Sequence, residues 1–143
     1  MGAEPLRLLA EDAEDLKVIA AALQDAVAKV GDIHFEQTPR RLTIAFNRFR
    51  WEVGDEARER VRAALQLGGV LSVKARRLRR EAPRSVVELL TLDFEPGEAP
   101  GGVVSLTFAG GGDLRCEVEC LDVVLADLSA PWPARRTPAH EEG

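Results

Sequence analysis

Residues 101–128, GGVVSLTFAGGGDLRCEVECLDVVLADL, restrict the fold of this chain more than any other stretch. Val104, Leu106 and Phe108 alternate with Val103, Ser105 and Thr107, a period of two that turns one apolar face toward a core. Leu114, Cys116, Val118 and Cys120 alternate in the same way with Arg115, Glu117 and Glu119. Between the two runs, Ala109-Gly110-Gly111-Gly112-Asp113 supplies residues that tolerate positive φ, as a tight hairpin requires. After Cys120 the phase slips, and Leu121, Val123 and Leu125 take the apolar positions. A bulged strand accounts for the slip. A closing helix is the competing reading, since Leu121, Val124, Leu125 and Leu128 also fit helical spacing; we adopt the strand.

The rest of the chain adds elements around this hairpin. Leu6 to Leu9 reads as a short strand. Asp12 to Asp25 reads as an amphipathic helix, with Leu16, Ile19, Leu23 and Val27 on one stripe and Asp12, Glu14 and Asp15 at the end where carboxylates satisfy free amides. Ile33 and Phe35, then Leu42, Ile44 and Phe46, form a second hairpin around Thr38-Pro39-Arg40. A second helix is expected from about Asp55 to Leu67, capped by Asp55, striped by Val61, Ala64 and Leu65, and stopped by Gly68-Gly69. Strands are expected at 70–78 and 86–95. The expected fold is α+β: one domain over residues 1–130, in the order β-α-β-β-α-β-β-β-β. It would hold a mostly antiparallel sheet of about six or seven strands and two helices. Residues 131–143 read as an extended proline-containing tail, pinned at its start by Trp132.

Few chemistries survive inspection. No Gly-x-Ser-x-Gly elbow surrounds any serine, and no Gly-x4-Gly-Lys motif is present; Gly110-Gly111-Gly112 joins strand to strand. Cys116 and Cys120, four residues apart on a strand, stand roughly 13 Å apart, too far for one zinc or one disulfide, and read as small buried hydrophobes. No metal or cofactor is implied, no catalytic residue is singled out, and an enzyme would need a carboxylate site that the sequence does not locate. No apolar run reaches the roughly 20 residues of a membrane span, and Met1 to Pro5 lacks a signal-peptide core, so a cytoplasmic location is expected.

Charge is unevenly placed. Residues 40–84 carry 13 basic and 5 acidic side chains, a net of +8 in a chain whose net charge is −5. The densest part contains Lys74, Arg76, Arg77, Arg79 and Arg80, and Arg48 and Arg50 interleave with Phe49 and Trp51. Guanidinium groups beside aromatics suit phosphate contact with base stacking. The phase of the chain past Phe46 predicts that Trp51 packs inward while Arg48 and Arg50 face solvent. These seven residues are the candidate binding residues. An acidic protein, pI near 5.1, disfavours nucleic acid as the ligand.

The stretches LRLLAEDAEDLKVIAAALQDAV, RRLTIAFNRFRWE, FEPGEAPGGVVSLTFAGGG, EVECLDVVLADL and APWPARRTPAH resemble an uncharacterised alphaproteobacterial family of short cytoplasmic proteins, classed as a domain of unknown function. The resemblance covers nearly the whole chain and implies a bacterial cytoplasmic protein; it transfers no activity, cofactor or site residue. The expected function is therefore a small non-enzymatic interaction module that binds a protein partner or its own copy. Binding of RNA or a phosphate ligand through 74–84 is the alternative.

Overall fold

The computed structural model describes residues 5–53 and 59–134, and within it strands dominate. They are β1 (Arg7–Ala10), β2 (Val27–Lys29), β3 (Ile33–Glu36), β4 (Arg41–Phe49), β5 (Glu59–Leu67) and β6 (Val70–Arg76). Then follow β7 (Val86–Pro96), β8 (Gly102–Phe108), β9 (Asp113–Val118), β10 (Val123–Asp127) and β11 (Trp132–Pro133). One α-helix, α1 (Ala13–Ala22), lies between β1 and β2; short 3-10 turns occupy Val30–Asp32 and Trp51–Val53.

Eleven strands and one α-helix among the described residues overturn the expected six or seven strands and two helices. The largest correction is residues 59–67, read as helix and found as strand. Glu, Arg, Ala, Leu and Gln favour helices, but intrinsic propensity is worth under about 0.7 kcal/mol per residue. Here β5 lies between β4 and β10, and Val61, Ala63, Leu65 and Leu67 are all buried with a period of two. Burying one full strand face outweighs the local preference. The expected cap, Asp55, falls outside the described residues. The first helix also ends early: Asp25 takes φ +62, and Val27, placed on the helical stripe, begins β2. Past Cys120 the chain is strand and not helix, but the expected bulge is a break: β9 ends at Val118 and a separate β10 begins at Val123.

All pairings are antiparallel, in the order β1-β10-β5-β4-β2-β7-β8-β9-β6, with β3 beside β4 and β11 beside β5. The path closes on itself because β5 and β6 are separated only by Gly68-Gly69. That corner is bonded to the break between β9 and β10: Gly68 N–H donates to Asp122 O at 2.9 Å and Glu119 N–H to Gly69 O at 2.9 Å. Gly69 sits at φ +63, a conformation that costs glycine nothing and lets the strand fold over. Walking from β4 to β5, round the corner to β6, and back through β9, β8, β7 and β2 returns to β4. The result is a barrel-like wall around one core of Ile44, Phe46, Leu65, Leu106, Phe108 and Leu114, joined by Leu16 and Ile19 of α1 and by Leu23, which caps that helix. No helix among the described residues is long and apolar enough to cross a membrane.

Candidate functional site

Among the described residues, the closed wall has a seam between β3 and β6. β3 pairs only with β4 and β6 only with β9, so each presents an edge with no neighbouring strand among the described residues. The two edges bound a cavity of about 590 Å³. Ile33 and Phe35 line it from β3, Leu71, Val73 and Ala75 from β6, and Val30, Leu42, Leu78 and Leu114 add to its apolar surface; Gln37, Ser72 and Arg80 are the polar members. One end is held by Val70 N–H donating to Arg40 O at 2.8 Å. The other is held where residues 83–85 meet the chain before β3: Gly31 N–H donates to Pro83 O at 2.8 Å and Val30 N–H to Ser85 O at 2.9 Å. Gly31 is required there, since a Cβ would stand 2.9 Å from the Cβ of Pro83.

The arginine-rich segment frames this seam. β6 stops at Arg76 because Arg77 turns the chain at φ +56. Lys74 and Arg76 lie on the outer face of β6, exposed, while Val73 and Ala75 face the cavity. Arg76 is engaged: its Nε and Nη2 donate to Asp113 Oδ2 at 3.1 and 2.6 Å, and the hydrogen bond holds the Asp113 carboxyl below its ordinary range. Arg77 leans over Gly111, and Arg79 makes a loose 3.6 Å pair with Glu81, both side chains more than two-thirds exposed. Such a surface pair is worth well under about 1 kcal/mol. Lys74, Arg80 and Arg84 have no ion-pair partner among the described residues.

Arg48 and Arg50 stand elsewhere, and the expectation that they face solvent is overturned. Arg48 is 0% and Arg50 6% exposed. Arg48 keeps the inward parity of Leu42, Ile44 and Phe46 on β4. It reaches beneath β5, where Ala63 leaves room, to Asp127 on β10. Nε donates to Asp127 Oδ1 and Nη2 to Oδ2, both at 3.0 Å; Nη1 and Nη2 donate to Glu52 Oε1 and Oε2, both at 2.9 Å; Nη1 also donates to Phe49 O at 2.9 Å. Those are all five N–H groups a guanidinium possesses. Burial works to lower the Arg48 pKa, but the bonds to Glu52 and Asp127 outweigh it and hold the pKa above its ordinary value. Asp127 Oδ2 accepts a further bond from Leu6 N–H at 2.8 Å, tying in the chain before β1. Arg48 is a rivet with no donor left for a ligand.

The aromatics beside it are spent as well. Phe49 is buried under Arg60, whose guanidinium lies 4.0 Å from the ring centroid; Trp51 packs against Phe49 at 5.5 Å and donates Nε1–H to Gln24 O at 3.0 Å. The interleaved Arg-aromatic pattern is thus internal structure, not a stacking platform. A sign was present in the sequence: Arg48 and Asp127 each continue an apolar alternation at its inward phase, which asks for an opposite charge across the sheet.

The other candidate groups do not converge. Burial, then a hydrogen bond with Asp25, raises the Glu88 pKa, making a carboxyl pair, but neither residue lines the seam. No group of three or more metal-ligating side chains gathers among the described residues. Cys116 is buried in β9, its thiol pushed up to about 12 by burial, whereas Cys120 lies past the strand end and is exposed, so only one of the two is a buried hydrophobe. One thiol should therefore react promptly with a disulfide reagent at pH 8, and the second only after denaturation. Two prompt thiols in native protein would contradict this placement.

The fold and seam define a class: a closed antiparallel wall with an unpaired two-edged slot and a cationic rim. A family model described as "Protein of unknown function (DUF2948)" matches residues 6–140, and the chain belongs to that family. No curated protein and no solved structure matches it.

Proposed function

We propose that this domain is a non-enzymatic interaction module that receives an extended segment of a partner protein in the seam between β3 and β6. One observation carries the reading: two strand edges with no neighbouring strand among the described residues face each other across an apolar-walled cavity. Unpaired edge amides and carbonyls are templates for an added strand. Alternate side chains of such a strand would drop into the cavity between Ile33, Phe35, Val73 and Ala75. The strand's main chain would complete the wall. The reading places the module in a bacterial cytoplasm, which the exposed free thiol of Cys120 suits.

Selection from a displayed library of random dodecapeptides tests this. Enriched sequences should carry apolar residues at every second position, and the tightest should slow amide hydrogen exchange in β3 and β6 while leaving β1 and β10 unchanged. Protection elsewhere, or no enrichment, overturns the proposal. Decanoate giving the same protection without peptide would make the seam a small-molecule pocket, and a concentration-dependent dimer that gives it would make a second copy the occupant.

A further inference from the structure

We infer that the segment taken up by the seam is alternately apolar and acidic. This rests on the strand-addition reading above and specifies its partner. In an added strand, successive side chains point to opposite faces. The inward set meets Ile33, Phe35, Val73 and Ala75, which accept apolar groups. The outward set lies between the outer face of β6, with exposed Lys74 and Arg76, and that of β3, with exposed His34 and Glu36, the Glu36 carboxylate being already paired with Arg41. Side chains directly across a strand pair stand about 4.5–5.5 Å apart, close enough for opposite charges to attract and like charges to repel.

Charge satisfaction within the chain decides which cations are available. Arg40 pairs with Glu119, Arg41 with Glu36, Arg62 with Asp32 and Arg115 with Glu95. Lys74 and Arg80 flank the seam without such a partner among the described residues, and Arg84 follows on the segment that closes its far end. A positive rim left over in an acidic protein is matched by carboxylates supplied from outside. RNA fits less well, because the aromatics that would stack its bases are engaged inside and Phe35 is the one aromatic among the seam's lining residues.

Fluorescence anisotropy with three labelled decapeptides tests the inference: valine alternating with glutamate, with glutamine, or with lysine. A mixed-sequence single-stranded RNA of ten nucleotides is run beside them. The glutamate peptide should bind about tenfold more tightly than the lysine peptide at 0.05 M salt, the difference shrinking at 0.5 M. A Lys74→Glu/Arg80→Glu variant should reverse that order; both side chains are exposed, so the fold is retained, as far-UV circular dichroism would check. Three peptides binding alike would overturn the acidic preference and leave the strand-addition reading standing. If no peptide binds, both fall. Salt-sensitive RNA binding abolished in the double variant, with peptides silent, would replace a protein partner with a nucleic acid.

Discussion

Replacing Arg48 with alanine should lower the unfolding free energy by about 3–5 kcal/mol, a large share of the roughly 5–15 kcal/mol a domain holds. The loss comes less from the missing attraction than from what remains. Asp127, with its side chain 2% exposed, would be a buried carboxylate with only the Leu6 amide for company. Glu52, on the turn after β4, would lose both of its bonds to the guanidinium. Arg48→Met combined with Asp127→Leu should lose less than Arg48→Ala alone, since apolar pairs of similar volume often replace buried ion pairs without penalty. The measurement is urea unfolding of the three proteins at pH 7. A loss below about 1 kcal/mol for Arg48→Ala would show the network to be dispensable. Part of the effect carries a pH signature. Burial raises the Glu52 pKa, but the hydrogen bond from Arg48 outweighs it and the net value is lowered. Its contribution is thus present above the ordinary carboxylate pKa and fades as pH falls through the lowered one.

Gly102→Ala should cost about 2–3 kcal/mol, for a reason of space, not of backbone angle. Gly102 opens β8, opposite Pro96 on β7 and Val118 on β9. An added Cβ would collide with the carbonyl oxygen of Glu95 and stand 2.7 and 2.8 Å from two ring atoms of Phe94. The first is main chain in a paired strand and cannot step aside, and Phe94 is packed against the core. Gly97→Ala is the comparison: its nearest neighbour would be the Gly102 Cα at 3.5 Å, ordinary contact, so a change within about 0.5 kcal/mol is expected. Equal thermal midpoints for the two variants would refute the collision.

The glycine pair Gly101-Gly102 illustrates how far a sequence can be read. As letters after Pro-Gly-Glu-Ala-Pro, both residues look like turn chemistry. Only the closeness of the neighbouring strands shows that neither has room for a side chain: a Cβ on Gly101 would stand 2.9 Å from Val118 O, and one on Gly102 would collide with Glu95 O. The same division runs through the rest of the molecule. Strands β3, β4, β7, β8 and β9 were legible because alternation of apolar and polar side chains is a property of the strand itself, set by which face meets the core. The first helix was legible from its cap and stripe, although its end was not: Asp25 reverses the chain through a local conformation that the apolar spacing to Val27 conceals.

What depended on distant partners could not be read along the chain. Residues 59–67 carry both a helical and a strand pattern, and the strand prevails because β4 and β10 flank it on both sides. β2 and β11 are two or three residues long and exist through their pairing alone. The excess of arginine in 40–84 was plain from the letters, but its division was not. Arg48 and Arg50 went inside because carboxylates from Glu52, Glu59 and Asp127 were brought to them. Lys74 and Arg80 stayed outside beside a seam that exists only because β3 and β6, 34 positions apart from Glu36 to Val70, end as edges facing each other. Period and turn chemistry are local and were written in the sequence; which charges are satisfied, and which strand edges are left open, are relations between residues that only the closed wall brings together.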